Sequence, residues 1–104
     1  MYFAVIARDK PGQAELRKRL RPDHRAWLRK PGEHQIVVRL GGPLLGADGE
    51  MDGTLLVVEA RSEEAVHAFL ADDPYCRNQM FEQLEVRQWQ WSLGQPVNEE
   101  VESK

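Results

Sequence analysis

A histidine and an aspartate are the residues of this 104-residue chain with the clearest capacity to move a proton. His24 lies in a row with Leu16, Leu20 and Leu28, which recur every four residues and therefore share one face of a predicted helix. Because the imidazole interrupts an apolar row, we expect it to point into the protein. An imidazole gains and loses protons near neutral pH, which suits a general acid or base, and a carboxylate commonly fixes its tautomer.

Asp73 is the candidate carboxylate, although spacing alone does not show that it meets His24. Each residue has a plainer interpretation, and the sequence pattern by itself favours that interpretation. His24 would be a half-buried histidine bonded to the backbone, and Asp73 would end a helix ahead of Pro74. Contact between the two becomes feasible if both predicted helices cover the same face of a sheet.

Two arginines lie on the helical turns before His24. Arg17 and Arg21 could bind a carboxylate group of a ligand. The alternative is a solvated helix face paired with acids such as Glu15 or Asp23, and we favour that alternative for Arg17. Arg21 is therefore the arginine that we predict to bind substrate.

The remaining polar residues do not form a recognisable metal or phosphate site. His34 and His67 lack ligand spacing such as H-x-x-x-H, and Cys76 has no C-x-x-C partner. The segment 41–43 (Gly-Gly-Pro) lacks the phosphate-loop pattern. It predicts a turn that ends a strand, or else a place where the backbone approaches a ligand closely. We therefore expect neither a metal nor a cofactor.

Composition narrows the class of protein further. Hydrophobic residues make up 41% and charged residues 30% of the chain, which is typical of one globular domain. The net charge of −3 argues against nucleic acid as a partner. A single cysteine excludes an internal disulfide. No apolar run approaches the ~20 residues of a membrane span, and residues 8–10 (Arg-Asp-Lys) interrupt the apolar start, so we expect a cytoplasmic protein without membrane contact.

The order of predicted elements is β-α-β-β-α-β, which is typical of a ferredoxin-like α+β fold with a four-stranded antiparallel sheet. Pro22 should kink the first helix or divide it in two. Residues 1–93 should form one domain, and the polar tail 94–104 should be frayed. The predicted strands are 2–8, 35–40, 54–60 and 84–91, the helices are 13–30 and 62–71, a short turn or helix covers 75–80, and 44–52 is a loop.

Two tryptophans of the last strand bear on the oligomeric state. If Val86 faces the helices, Trp89 and Trp91 lie on the face of the sheet that no helix covers. Leaving apolar surface in water is unfavourable by roughly 25 cal/mol per Å². A second subunit would cover it, so we predict a homodimer. The alternative is a β-bulge that turns one tryptophan inward.

Several short motifs together resemble the YCII (YciI-like) family. The helix motif is Arg21-Pro22-Asp23-His24 followed by Trp27-Leu28, and a later segment reads Asp73-Pro74-Tyr75. Gly42-Pro43 resembles the family's strand-ending G-P. The resemblance covers roughly residues 2–92 and also includes the opening residues 2–12, the strand 53–59, the helix 62–69 and the closing strand 85–91.

The resemblance implies a dimeric α+β barrel of ferredoxin-like subunits, in which His24 and Asp73 meet in a pocket as a catalytic dyad. The candidate substrate-binding residues are Arg21, Gly42, Pro43 and Tyr75. We expect a cofactor-free enzyme that catalyses an isomerisation or an elimination of a small anionic or aromatic molecule. The alternative is a non-catalytic metabolite-binding or accessory protein with the same pocket. An RNA-binding module is not favoured, because the strands carry few positive charges and no RNP pattern.

Overall fold

A computed structural model describes residues 1–95 and shows a ferredoxin-like α+β fold. The four strands form one antiparallel sheet in the order β2-β3-β1-β4. This architecture confirms the predicted fold class. The prediction of a frayed tail falls mainly on residues 96–104, outside the described residues. In chain order the elements are β1 (Tyr2–Asp9), α1 (Ala14–Arg29), β2 (Val37–Leu45), β3 (Met51–Glu59), α2 (Glu63–Ala71), α3 (Pro74–Arg77) and β4 (Phe81–Trp89).

The core lies between the helices and one face of the sheet. Alternate residues of the central strand β1 are buried, whereas Ile6 on its other face is exposed. This period of two is what a strand with one covered face requires. The buried core residues are Phe3 and Val5 of β1, Leu56 and Val58 of β3, Val66, Phe69 and Leu70 of α2, and Ile36 and Ala60 beside the strands.

Helix α1 continues through Pro22, so of the two alternatives, a kink or a division into two helices, the division is wrong. Proline at position 22 cannot donate to the carbonyl of Lys18, one turn earlier. Both residues are exposed, and water can therefore bind that carbonyl. The uninterrupted helix keeps Arg17, Arg21 and His24 on one continuous face.

Strand β2 runs through residues 41–43, so the prediction that Gly42 and Pro43 lie in a strand-ending turn is wrong. Pro43 pairs in register with Thr54 of β3. A proline fits here because β2 is an edge strand, in which one row of backbone N–H groups does not pair with another strand. The register shifts between Val38 and Leu40, which leaves Arg39 as an extra residue in a bulge.

The segment around Asp73 begins a helix as well as ending the previous one. Ser62 caps the N-terminus of helix α2, and its Oγ accepts from the Ala65 amide at 3.1 Å. Asp73 caps α3 in the same way and accepts from the Tyr75 amide at 2.9 Å. Pro74 occupies the first turn, where a missing donor is tolerated. Asp73 and Tyr75 are thereby held in buried positions.

The face of the sheet without helices, called the open face below, carries apolar side chains. Val86 packs toward the core, and Trp89 lies opposite Tyr2 on the open face. The ring of Trp91 is 5.3 Å from both Tyr2 and Trp89. In the pairing of β4 with β1 the irregularity lies at the far end, between Arg8 and Asp9, and not beside the tryptophans. The exposed large apolar residues of the open face are Ile6, Val37, Leu40, Leu55 and Trp89.

Among residues 1–95, no helix is both long enough and apolar enough to cross a membrane.

Candidate functional site

His24 and Asp73 are in direct contact. Nδ1 of His24 lies 2.9 Å from each of the two carboxylate oxygens of Asp73. Both residues are buried, with 6% and 1% of their surface exposed. An ionised carboxylate can only accept hydrogen bonds, so Nδ1 of a neutral imidazole must carry the proton. Nε2 of His24 is then left with a free lone pair, which is the arrangement that a general base needs.

Tyr75 stacks against the imidazole of His24. Their ring centroids are 3.9 Å apart, and the ring planes differ by 17°. The Tyr75 side chain is fully buried, and its hydroxyl has no hydrogen-bond partner within residues 1–95. Burial raises the pKa of Tyr75 above its ordinary value, although the positive charge of Arg17 opposes this. The phenol is therefore protonated near neutral pH and can donate a hydrogen bond.

Arg17 is buried, which makes the favoured prediction of a solvated side chain wrong. Only 3% of its surface is exposed. Nε donates to Oδ2 of Asp9 at 2.7 Å, and Nη2 donates to Oδ1 of Asp9 at 2.9 Å and to Thr54 Oγ1 at 2.8 Å. Burial lowers the pKa of Arg17, but its hydrogen bonds to Asp9 and the negative charge there raise it overall. The guanidinium carbon lies 4.7 Å from the Tyr75 ring centroid.

Sequence reasoning therefore did not identify Asp9 and Thr54 as neighbours of the site, and it wrongly favoured a solvated position for Arg17. A usable signal was present, because Arg17 precedes His24 by seven residues, or two helical turns, and so shares its inward face. The partners on other strands could not be identified from any local pattern.

A cavity of about 160 Å³ lies beside His24, between α1 and the strands β2 and β3. A cavity of about 150 Å³ is large enough to bind benzene, so this one has room for a single small ring. Asp73 is behind His24 and does not line the cavity. The structure brings every other candidate site residue to its wall, which consists of Arg17, Arg21, His24, Arg25, Leu28, Gly41, Gly42, Pro43, Thr54 and Tyr75.

The wall of the cavity is positively charged. The charge of Arg17 is balanced by its ion pair with Asp9. Arg21 and Arg25 form no ion pair within the part of the chain that the structure describes. A cavity lined by unbalanced guanidinium groups favours an anionic ligand and disfavours a cation.

The other histidines and the cysteine lie outside this site. His34 bonds to Asp72 at 2.9 Å, and His67 bonds to Glu63 at 3.2 Å on the surface. Burial raises the pKa of the Cys76 thiol to about 11, which is opposite to the shift that activates a cysteine. Within residues 1–95, no group of three or more ligand-type side chains could hold a metal ion.

Solved structures resemble this one at two levels. One is 5-chloro-2-hydroxyhydroquinone dehydrochlorinase (TftG) from Burkholderia phenoliruptrix AC1100, solved in complex with 2,5-dihydroxybenzoquinone. Its sequence is 32% identical to this chain and its TM-score is 0.76, and the match covers 86% of this chain and 94% of that one. A candidate antibiotic biosynthesis monooxygenase from Bacteroides thetaiotaomicron is 14% identical with a TM-score of 0.58 (94% and 95% covered). Rv0793 from Mycobacterium tuberculosis is 20% identical with a TM-score of 0.54 (90% and 100% covered). The last two likenesses show the fold alone.

No protein with a curated description matches the sequence. The family model of the YCII-related domain matches residues 1–90, which is nearly the whole described chain. The motifs around His24 and Asp73 pointed to the same family. The chain belongs to the YCII-related domain family.

Proposed function

We propose that this protein is a small-molecule enzyme of the isomerase or lyase type, which transfers a proton without a cofactor. His24 is the general acid and base, and Asp73 orients the imidazole. One observation carries the proposal: the same imidazole that lines a small cavity has its Nδ1 held by a buried carboxylate at 2.9 Å. Nothing in the fold as such requires a buried histidine and aspartate to meet beside a cavity.

Proton transfer by His24 follows from its tautomer, in which Nδ1 carries the proton and Nε2 has a free lone pair. Nε2 of His24 accepts a proton from a ligand atom in the cavity, and the electron pair of the broken bond stays on the ligand. Asp73 stabilises the imidazolium that forms, because a carboxylate beside Nδ1 favours its charged state. Return of the proton to a different ligand atom completes an isomerisation. Departure of a leaving group with its electron pair completes an elimination, and the imidazolium then releases its proton to water.

The 32% identical structure supports this class of reaction. A dehydrochlorinase removes hydrogen chloride, which is an elimination, and its bound 2,5-dihydroxybenzoquinone is a single-ring compound. The cavity of about 160 Å³ in the present protein has room for a ring of that kind. The comparisons together support a small-molecule enzyme or binding protein of this fold. The substrate that we propose is a small, anionic or aromatic molecule.

Four residues are proposed to bind the substrate. Arg21 would pair with an acidic group, because its guanidinium lines the cavity and has no ion pair within residues 1–95. Tyr75 would present its hydroxyl, and the strand residues Gly42 and Pro43 would form the wall opposite α1.

We also propose that two copies pair through their open faces as a dimeric α+β barrel. The support is the set of apolar side chains that the subunit leaves exposed there, among them Ile6, Leu40 and Leu55. Burial of such a surface against a second sheet would stabilise the pair. The single domain over residues 1–93, the cytoplasmic location and the absence of nucleic-acid and membrane partners stay predictions.

Deuterium exchange tests the proton transfer directly. A panel of one-ring hydroxylated and halogenated acids is incubated with the protein in deuterated water, and NMR follows deuterium uptake or product formation. We expect uptake with at least one compound and its loss in His24→Gln. The matched control is His34→Gln, which alters a histidine paired with Asp72 outside the cavity and should leave the activity unchanged. A compound that binds the wild type but is recovered without exchange would instead favour the non-catalytic binding protein.

A further inference from the structure

Tyr75 carries a buried hydroxyl that lacks a hydrogen-bond partner. The side chain has no exposed surface, and Oη makes no hydrogen bond within residues 1–95. Folding has therefore removed water from this group without supplying a replacement, which is unfavourable and rare in native proteins. Because Tyr75 lines the cavity, a ligand bound there is the neighbour best placed to accept this hydrogen bond.

The Tyr75 ring is held on several sides. It stacks on His24 at 3.9 Å between ring centroids, and Phe81 meets it edge-on at 5.8 Å. Arg17 lies over the ring, with its guanidinium carbon 4.7 Å from the centroid, and is itself fixed by Asp9. A donor that is fixed before the ligand arrives needs no reorganisation when negative charge develops near it. Burial, which raises the pKa of this phenol, keeps the donor proton in place.

A positive charge lies in the same cavity. Arg21 comes three residues before His24 on α1, is half-buried, and has no ion pair within residues 1–95. Tyr75, Arg21 and His24 therefore line one cavity, and between them they carry an O–H donor, a guanidinium group and an imidazole. These are the groups needed to hold an anionic oxygen close to a general base.

We propose that Tyr75 Oη and Arg21 form an oxyanion-binding site, so that the ligand is a one-ring compound whose enol or phenol oxygen binds as the anion. This deepens the proposed function and rests on it for the identity of the base, His24. It adds a substrate class, namely cyclic carbonyl compounds with an acidic adjacent C–H bond, together with their enols.

The electron flow is balanced in this arrangement. When Nε2 of His24 removes the proton from the carbon beside a carbonyl, the C–H electron pair forms a C=C bond. The carbonyl π pair then moves to oxygen, and Tyr75 and Arg21 stabilise the resulting enolate. Where a further C=C bond is conjugated with the enolate, protonation of its remote carbon by the imidazolium re-forms the carbonyl, shifts the C=C bond and gives the isomer. Alternatively, a leaving group departs with its electron pair from the next carbon, and the carbonyl re-forms as part of a conjugated product.

Binding of 4-nitrophenol tests the oxyanion site without knowledge of the substrate. This probe is a one-ring phenol that ionises near neutral pH, and its anion absorbs at longer wavelength than the neutral form. We expect the wild type to bind the anion preferentially, so that adding protein at fixed pH increases phenolate absorbance. Tyr75→Phe keeps the ring but removes the donor, and should weaken anion binding about 10-fold or more, as should Arg21→Gln.

Matched controls exist for both variants. Tyr2→Phe removes a hydroxyl that does not line the cavity, and Arg19→Gln removes a guanidinium from the exposed side of α1. Both should bind the probe as the wild type does. Tyr75→Phe should also keep the thermal unfolding midpoint of the wild type, because it deletes a hydroxyl that has no partner within the described part of the chain. Weaker probe binding then cannot be ascribed to unfolding.

The outcomes separate this proposal from the proposed function. If Tyr75→Phe binds the anion as tightly as the wild type, the oxyanion site is wrong, even where His24→Gln abolishes deuterium exchange. Preference of the wild type for neutral 4-nitrophenol, or failure to bind either form, also overturns the oxyanion site. Loss of deuterium exchange in the control His34→Gln would count against His24 as the base. It would not affect the evidence for anion binding by Tyr75.

Discussion

The rings of His24 and Tyr75 stack with 3.9 Å between their centroids, and Asp73 is bonded to both residues. One carboxylate accepts from Nδ1 of His24 and from the backbone amide of Tyr75, each at 2.9 Å. Helix α3 is only four residues long, yet its N-cap Asp73 supplies the carboxylate and its residue Tyr75 the phenol ring that contact α1. A change at Asp73 should therefore alter the orientation of the histidine and, less directly, of the tyrosine.

Asp73→Asn should reverse the tautomer of His24. An asparagine amide can donate to Nδ1, and the imidazole proton would then move to Nε2, which no longer has a lone pair for the ligand. The ¹⁵N chemical shifts of the imidazole report this directly. Deuterium exchange into a substrate should fall about 10²–10⁴-fold, the usual contribution of general acid–base catalysis.

Asp72→Asn is the matched control for this experiment, since Asp72 is the preceding residue and bonds to His34 on the surface. It should leave the tautomer of His24 and the exchange rate unchanged. An unaltered His24 spectrum in Asp73→Asn would refute the orienting role of Asp73.

Arg17→Met should destabilise the protein by about 3–5 kcal/mol, because it leaves Asp9 buried and unpaired. Replacing both partners, as Arg17→Met with Asp9→Leu, should recover most of that loss. Urea denaturation measures both effects. The control is Arg8→Gln, which breaks an exposed ion pair with Glu82 and should cost less than about 1 kcal/mol. A loss below about 1 kcal/mol for Arg17→Met would show that this ion pair is not needed for stability.

Leu55→Lys should convert the proposed dimer to monomer. Leu55 lies in the central strand β3, on the open face, with 42% of its surface exposed. A lysine there would place an unpaired charge inside the interface, which is strongly unfavourable. Light scattering at low micromolar concentration measures the mass. Leu93→Lys, at a residue beyond β4 that is 90% exposed, should leave the mass unchanged. Wild-type protein that is entirely monomeric under these conditions would contradict the dimer.

Cys76 should react slowly with iodoacetamide in the folded protein. Burial raises the pKa of its thiol from 9.0 to about 11, so below pH 9 the thiolate fraction should be about 100-fold lower than in the unfolded chain. The favourable contribution of the neutral buried thiol to stability is complete below pH 9 and is lost as the pH rises to about 11. Equal alkylation rates with and without denaturant would disprove this, and Cys76→Ser supplies the unlabelled control.

Local patterns predicted the elements well where one face of an element is buried. Phe3, Val5 and Ala7 are buried in alternation, and the strand predicted over 2–8 is observed as Tyr2–Asp9. The same reasoning placed His24 on the inner face of α1, because a helix repeats its faces every three to four residues. These features depend on near neighbours in the chain, and their signals are therefore contained in short stretches of sequence.

The wrong predictions concern residues whose surroundings come from other elements. The sequence pattern predicts a solvated Arg17, because an arginine is ordinarily exposed, but Asp9 and Thr54 supply it with a buried set of acceptors. The sequence pattern predicts a turn at Pro43, but the edge position of β2 allows this proline to remain in a strand. In both cases the order of strands in the sheet decides the outcome: it places the acceptors of Arg17 beside α1, and it leaves one side of β2 without a neighbouring strand.

By itself the sequence determined the ferredoxin-like order of elements, the inward direction of His24 and the motifs that mark the family. The tertiary structure decided that His24 contacts Asp73, that Tyr75 stacks on the imidazole, and that a cavity lies beside them. The physical reason is that these contacts join α1 to α3, and the distance between two helices is set by how both pack on the sheet. Periodicity within either helix contains no information about that distance.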